Sequence, residues 1–172
     1  MGSGREAFLA ATAPFRKLTL DTNIFLYYLA NESRFADLVT DLMLRAITGG
    51  VVLELPGIVQ FELLIRPYQS GDPNELANIR KLVRHHPGIE ASAISDAVLQ
   101  LSAEIRARTR LKAPDALVAG SAMMHGSAAI VSNDKNFYKL KDLENVDFIT
   151  QGRRRLTPPQ FLLIDDFADK GA

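Results

Sequence analysis

Short apolar runs alternate with longer amphipathic segments along most of the chain. The runs are bounded by glycine, proline and polar residues, and they predict strands at 17–20, 51–55, 89–94, 128–131 and 146–149. Between them apolar residues recur at helical spacing, which predicts helices at 22–30, 34–48, 58–66 and 74–86, one capped by Ser95, one beginning at Pro114, and a short one at 135–141.

This alternation determines the predicted fold class. Strands that are separated by helical crossovers pair in parallel and have helices on both faces of the sheet. We therefore expect an α/β fold, a three-layer α/β/α sandwich around a central parallel sheet of about five strands. One domain is predicted over 16–150, with an N-terminal extension (1–15) and a C-terminal tail (151–172).

Composition narrows the possible functions. The 172 residues are 47% apolar and include no cysteine, which excludes disulfides, thiolate metal sites and cysteine nucleophiles. No apolar run approaches the roughly 18 residues of a membrane span. The first residues lack the basic, apolar and small-residue series of a signal peptide. A cytoplasmic protein is therefore expected.

Four acidic residues are predicted to share one edge of the sheet. Asp21 follows the first strand directly, and Asp134 follows the fourth. Glu62 lies on the helix after the second strand, and Asp115 begins the buried helix that precedes the fourth. Ligands of open parallel sheets bind beyond the carboxyl ends of the strands, so these side chains can converge.

Converging carboxylates need a counter-charge. Two unit charges about 4 Å apart repel by roughly 4 kcal/mol at an effective dielectric constant of about 20. Carboxylate oxygens favour Mg²⁺ or Mn²⁺, and such ions activate water and stabilise phosphodiester hydrolysis.

Each acid also has a purely structural interpretation. Asp21 can cap the next helix, and Asp115 can complement a helix N-terminus. Glu62 can pair with Arg66 one turn on, and Asp134 can be a turn residue. Other catalytic motifs are missing, because the chain contains no His-Glu-x-x-His, Gly-x-Ser-x-Gly or Gly-x-x-x-x-Gly-Lys.

Four segments resemble the motifs of the PIN-domain family, in particular its VapC-type toxin ribonucleases. They occur in the family's order and span roughly residues 17–149: Leu18-Thr19-Leu20-Asp21-Thr22-Asn23, Ile58-Val59-Gln60-Phe61-Glu62-Leu63, Pro114-Asp115-Ala116-Leu117-Val118-Ala119 and Val131-Ser132-Asn133-Asp134-Lys135-Asn136-Phe137. Two departures are the additional length at the chain ends and Ser132, where threonine is commoner.

The resemblance implies a Mg²⁺- or Mn²⁺-dependent endoribonuclease, the dimeric toxin of a type II toxin–antitoxin pair that a cognate antitoxin silences. It implies that Asp21, Glu62 and Asp115 are metal ligands, directly or through water, and that Asp134 completes the pocket. It also implies that Thr22, Asn23 and Ser132 orient ligands and waters by hydrogen bonds.

Two other classes of function stay open. One is a PIN-like module that binds RNA or protein without catalysis. The other is an aspartate-based phosphatase or phosphotransfer domain, which also carries an Asp after its first strand. A haloacid-dehalogenase-type enzyme requires Asp-x-Asp, whereas the third position here is Asn23.

Basic residues are clustered although the net charge is zero. The cluster that leads into the Asp115 motif is expected to hold the RNA backbone: Arg106, Arg108, Arg110 and Lys112. Two further clusters, at 80–86 and 153–155, are equally well interpreted as solvated surface. The aromatic residues of segment 24–46 predict self-association through that segment: Phe25, Tyr27, Tyr28 and Phe35.

Overall fold

The computed structural model describes residues 4–31, 34–149 and 155–168. Its helices, in chain order, are α1 (Gly4–Thr12), α2 (Thr22–Ala30), α3 (Ala36–Ile47), α4 (Gly57–Ser70), α5 (Pro73–His85), α6 (Asp96–Thr109) and α7 (Ala113–His125), with 3₁₀ helices at Lys135–Leu143 and Ile164–Asp166. Its strands are β1 (Lys17–Leu20), β2 (Val52–Pro56), β3 (Ile89–Ser92), β4 (Ala129–Ser132), β5 (Phe148–Ile149), β6 (Arg155–Leu156) and β7 (Gln160–Leu163).

A five-stranded parallel sheet forms the centre of the molecule. Its strand order is β3-β2-β1-β4-β7, and every neighbouring pair is parallel. Helices cover both faces, which confirms the predicted three-layer α/β/α architecture. From β1 the chain continues to β2 and β3 on one side of the sheet, and it later adds β4 and β7 on the other side. The strand order therefore reverses at β1, and parallel sheets form a ligand crevice at such a point.

Close packing of α6 on α7 positions the helix that carries Asp115. A Cβ added to Gly120 on α7 would lie 2.1 Å from Ser102 Oγ on α6, so the helices can approach this closely only because residue 120 is glycine. Helix α7 also packs against β1, β2 and β4. The position of α7 is therefore determined both by α6 and by the central sheet.

The fifth predicted strand is present, but its expected place in the parallel sheet was wrong. Phe148–Ile149 pairs antiparallel with β6 in a separate two-stranded sheet, whereas β7, in the segment predicted as a tail, pairs in parallel with β4. β7 is a four-residue run directly after Pro158 and Pro159, and so short a run has no periodicity that distinguishes a strand from other structure.

Two further elements differ from the prediction. Helix α4 continues through Pro67 to Ser70 instead of ending at Arg66, and the proline ring is buried. Residues 4–12 form α1, which buries Phe8 and packs on α3. The division into a 16–150 domain with two end segments stays a prediction.

The aromatic residues of segment 24–46 are largely used inside the fold. Phe25 and Phe35 are buried, and Tyr27 stacks on Phe35 with ring centroids 4.4 Å apart. Self-association through this segment stays a prediction, to which the buried rings of Phe25 and Phe35 cannot contribute directly.

Candidate active site

Asp21 lies at the reversal point of the sheet and has few free hydrogen-bonding positions. As the N-cap of α2 it accepts a hydrogen bond from the backbone N–H of Thr22 at 2.8 Å. Its Oδ2 accepts from Ser132 Oγ at 2.6 Å and from Asn23 Nδ2 at 2.9 Å. The capping interpretation is therefore correct, but the second oxygen is held by side chains from two motifs.

Ser132 joins the ends of β1 and β4. Besides donating to Asp21, its hydroxyl accepts from Asn23 Nδ2 at 3.0 Å and from the backbone N–H of Asp134 at 2.9 Å. The motif with serine in place of threonine therefore still supplies the hydroxyl that connects the two aspartates. Asn23 completes this connection by accepting from the backbone N–H of Asn133 at 3.1 Å.

Glu62 reaches the same site from α4. Its Oε2 accepts a hydrogen bond from the Thr22 hydroxyl. The alternative partner, Arg66, instead forms an ion pair with Glu75, with the Arg66 Nε–Glu75 Oε1 distance at 3.2 Å. Glu62 therefore belongs to the acidic cluster and not to a surface ion pair.

Asp134 has a structural bond as well as a place in the site. Its Oδ1 accepts from the backbone N–H of Asn136 at 2.8 Å, which caps the first 3₁₀ helix. Its charge also raises the pKa values of Asp21 and Asp115. The turn interpretation is therefore correct, and the role of Asp134 in a site stays a prediction.

Asp115 is the least satisfied of the four acids. Its Oδ2 is buried and has no hydrogen-bond partner among the described residues. Burial, followed by the charges of Asp134 and Asp21, raises its pKa from 3.8 to about 6, while Lys112 acts in the opposite direction. The carboxyl group is thus exposed to the repulsion of its neighbours without a compensating donor.

The four acids interact with one another electrostatically. Burial first, and then the charges of Glu62 and Asp134, raise the pKa of Asp21 against the effect of its hydrogen bonds. Among the described side chains, no salt bridge involves any of the four acids. In the same part of the chain, no three acidic or histidine side chains are assembled tightly enough to hold a metal ion directly.

The basic cluster before α7 is only partly directed at this site. Lys112 influences the pKa of Asp115. Arg108 pairs with Glu104 at 2.7 Å and lies over the ring of Phe148, and Arg110 adopts a left-handed backbone conformation that ends α6. Arg106 is exposed on the last turn of α6.

A second buried carboxylate was missed by the sequence analysis. Glu54 on β2 accepts hydrogen bonds from the hydroxyls of Thr19, Ser92 and Ser127, and His125 Nδ1 lies 2.8 Å from its Oε1. Two partners on each oxygen leave no lone pair for a metal, so this cluster is structural. The only signal of Glu54 in the sequence is that it is an acidic residue whose neighbours along β2 are buried.

Asn133 and Tyr27 were also missed. Asn133 Nδ2 donates to the hydroxyl of Tyr27 at 3.0 Å, which connects the fourth motif with α2. Asn133 lies between Ser132 and Asp134 in the fourth motif, and this position is its signal in the sequence.

The family model of the PIN domain matches residues 18–143, well over half of the chain. The chain belongs to the PIN-domain family. This PIN domain has no significant match among curated protein sequences. All four acids lie inside the matched range, whereas β7 and α1 lie outside it.

Solved structures with a similar fold include a toxin–antitoxin complex from Klebsiella pneumoniae, which is 16% identical over 75% of this chain and 92% of that chain, with a TM-score of 0.51. VapBC2 from Rickettsia felis, bound to a DNA fragment from its promoter, is 20% identical over 73% of this chain and 94% of that chain, with a TM-score of 0.55. DNA-bound VapBC from Salmonella typhimurium is 20% identical over 71% and 90%, with a TM-score of 0.57. FitAcB from Neisseria gonorrhoeae is 19% identical over 71% and 91%, with a TM-score of 0.54. At these identities the similarity establishes the shared fold.

Within the described part of the chain, no helix is both long enough and apolar enough to cross a membrane.

Proposed function

We propose that this PIN domain is a Mg²⁺- or Mn²⁺-dependent endoribonuclease of the VapC type. The observation that carries the proposal is the buried, unpartnered Oδ2 of Asp115 beside three other carboxylates. A buried acid without a donor is costly unless a cation compensates it. Hard oxygen ligands at a crevice suit these two ions.

The donor set fits an ion that keeps much of its water. Mg²⁺ typically binds through one or two carboxylates and retains several waters. Because no three side chains converge closely enough for direct ligation, we assign direct contact to Asp115 and Asp21. Glu62 and Asp134 then act through water. Bound Mg²⁺ or Mn²⁺ supplies charge neutralisation at the phosphate and lowers the pKa of water.

The neighbouring polar groups hold these acids in place. Ser132 and Asn23 orient Asp21, and the Thr22 hydroxyl orients Glu62. Hydrogen bonds to ligating carboxylates typically change metal affinity or activity by about 10- to 100-fold when removed. These three residues are therefore positioning residues of the reaction.

A phosphotransfer role for Asp21 is disfavoured by the residue two positions on. A haloacid-dehalogenase-type enzyme requires Asp-x-Asp, whereas the third position is Asn23, whose amide donates to Asp21 Oδ2. Among the described residues, Oδ1 of Asp21 accepts only the backbone bond from Thr22 and therefore keeps a lone pair for a metal ion. Trapping a phosphoryl group on Asp21 would contradict our assignment.

The substrate backbone is proposed to follow the basic cluster before α7. Lys112 is close enough to Asp115 to lower its pKa, and Arg106 is exposed on the preceding helix. Reversing these charges is expected to weaken RNA binding and to reduce its salt dependence. Arg108 and Arg110 contribute less, since an ion pair and a helix end engage them.

A toxin role in the cytoplasm, silenced by an antitoxin protein, is proposed from the toxin–antitoxin complex that shares the fold. Helix α4 supplies an independent observation, because Phe61 and Ile65 are exposed one turn apart on the helix that carries Glu62. Apolar groups exposed together commonly mark protein interfaces.

A homodimer is also proposed. Light scattering of the wild type and Phe61→Asp tests whether the surface that contains Phe61 and Ile65 mediates dimerisation.

The experiment that tests the nuclease is cleavage of purified RNA by the wild type and Asp115→Asn, in chelator and with Mg²⁺ or Mn²⁺. We expect cleavage only by the wild type and only with metal. Leu44→Ala, which alters an exposed residue of α3, controls for effects of mutagenesis and purification. RNA binding without cleavage under every metal condition would instead support a binding module.

A further inference from the structure

A cleft of about 440 Å³ lies between the first 3₁₀ helix and β7. Its walls include the rings of Tyr138 and Phe161 and the charged side chains of Lys141, Glu144 and Asp166. None of these residues belongs to the acidic site. Most of the β7 wall lies beyond residue 143, where the PIN-family match ends.

Two fixed rings form the aromatic wall of the cleft. Tyr138 is 41% exposed, and its ring meets Phe161 edge to face, with centroids 5.0 Å apart and an interplanar angle of 85°. The buried ring of Phe137 packs against Phe161, with ring centroids 5.7 Å apart. An accessible ring that its neighbours hold in place is a platform on which a planar ligand can stack.

The charges around these rings are mixed in sign. Lys141 Nζ lies 5.4 Å from the centroid of the Tyr138 ring. The Tyr138 hydroxyl donates to Asp166 Oδ2 at 3.4 Å, and Glu144 also lines the cleft. A simple cation would be repelled by Lys141, and a simple anion by the two carboxylates. A nucleotide matches the whole set, since it combines a planar base, amino donors and a phosphate.

The cleft adjoins the acidic site through two elements. Asp134 caps the 3₁₀ helix, and Tyr138 lies about one turn further along it. β7 is paired with β4 so that Leu163 lies beside Ser132, and Asp166 follows shortly after the end of β7. Since parallel strands end at the same edge, the Asp166 end of the cleft lies on the edge that carries the catalytic acids.

We propose that this cleft binds one unpaired nucleotide of the substrate, next to the site of cleavage. Its base stacks on Tyr138 and meets Phe161 with its edge, its amino group donates to Asp166 or Glu144, and its phosphate contacts Lys141. Bases with an exocyclic amino group are therefore preferred over uracil, which has none. This inference rests on the proposed ribonuclease function and adds a substrate-selecting site to it.

The test measures binding separately from cleavage. Fluorescently labelled oligomers of adenosine, cytidine or uridine, about six nucleotides long, are titrated with protein in chelator and followed by anisotropy. Tyr138→Ala is expected to weaken binding of the adenosine oligomer by about tenfold, from the loss of one stacked base. Tyr138→Phe keeps the ring and is expected to stay within about twofold of wild type. Leu44→Ala, remote from the cleft, is the surface control.

Base preference supplies the second readout. Asp166→Asn and Glu144→Gln are expected to reduce the preference of the protein for adenosine and cytidine oligomers over the uridine oligomer. If the wild type binds and cleaves RNA but Tyr138→Ala behaves like Leu44→Ala, the cleft proposal is wrong and the nuclease proposal stands. If the wild type neither binds nor cleaves any RNA, both are wrong.

Discussion

Replacing Asp115 by asparagine is expected to stabilise the metal-free protein above about pH 6. Burial and the charges of Asp134 and Asp21 raise the pKa of Asp115 from 3.8 to about 6. Between pH 3.8 and about pH 6, the folded chain therefore holds the proton of the Asp115 carboxyl group more tightly than the unfolded chain does. Stability therefore falls as pH rises through this window, and above it the ionised carboxylate disfavours the folded state.

The magnitude follows from the difference in pKa. Each pKa unit corresponds to about 1.4 kcal/mol, so a change from 3.8 to about 6 gives an upper value of about 3 kcal/mol. Asp115 is only half-buried, and solvent screening reduces this to roughly 1–2 kcal/mol. Asparagine also removes the charge without breaking a hydrogen bond at the Oδ2 position, since Oδ2 has no partner in the described part of the chain.

The assay is urea unfolding of the wild type and Asp115→Asn in chelator, at about pH 4 and about pH 8. The variant is expected to be more stable by roughly 1–2 kcal/mol at the higher pH and about equal at the lower. Adding metal should reverse the order, because binding at about 100 times Kd stabilises the wild type by roughly 2.7 kcal/mol.

Two results would refute this reasoning. If Asp115→Asn is less stable than wild type at about pH 8 without metal, the carboxylate has a favourable partner and is not frustrated. If the stability difference between the two proteins is independent of pH, burial and neighbouring charges do not disfavour its ionisation. Asp37→Asn, an exposed acid on the first turn of α3, controls for general loss of negative charge.

Three further predictions concern single contacts. Ser132→Ala should weaken metal binding by about 10- to 100-fold, measured as the metal-induced rise in Tm, while Ser132→Thr retains it; equal losses in both would mean that the hydroxyl does not position Asp21. Glu54→Gln should lower the free energy of unfolding by about 1–3 kcal/mol for each donor left unsatisfied, and unchanged urea unfolding would show that these bonds contribute nothing. Gly120→Ala should cost roughly 1–3 kcal/mol, and part of this should return in the double variant with Ser102→Ala, because the clash is with the Ser102 hydroxyl; no recovery would place the strain elsewhere.

Much of the fold could be predicted from local pattern. Strands β1 to β4 and their intervening helices lie within a few residues of the predicted segments, because each short apolar run adjoins a longer segment whose helical period repeats over enough residues to be distinctive. β7 could not be predicted, since its four residues acquire a strand partner only when Gln160 N–H bonds to Ala128 O beside β4. Likewise Pro67 ends a helix by local rule but remains within α4, where its ring is buried.

The sequence by itself determined which residues are acidic, which of them follow strands, and therefore that Asp21 and Asp134 share an edge. Only the tertiary structure decided the partners. Ser132 bonds to Asp21, Glu62 bonds to Thr22 instead of pairing with Arg66, and Asp115 is left without a donor. Periodicity reports the direction of a side chain relative to its own element. Hydrogen-bond partners and desolvation depend on which elements pack together, and that is a property of the whole fold.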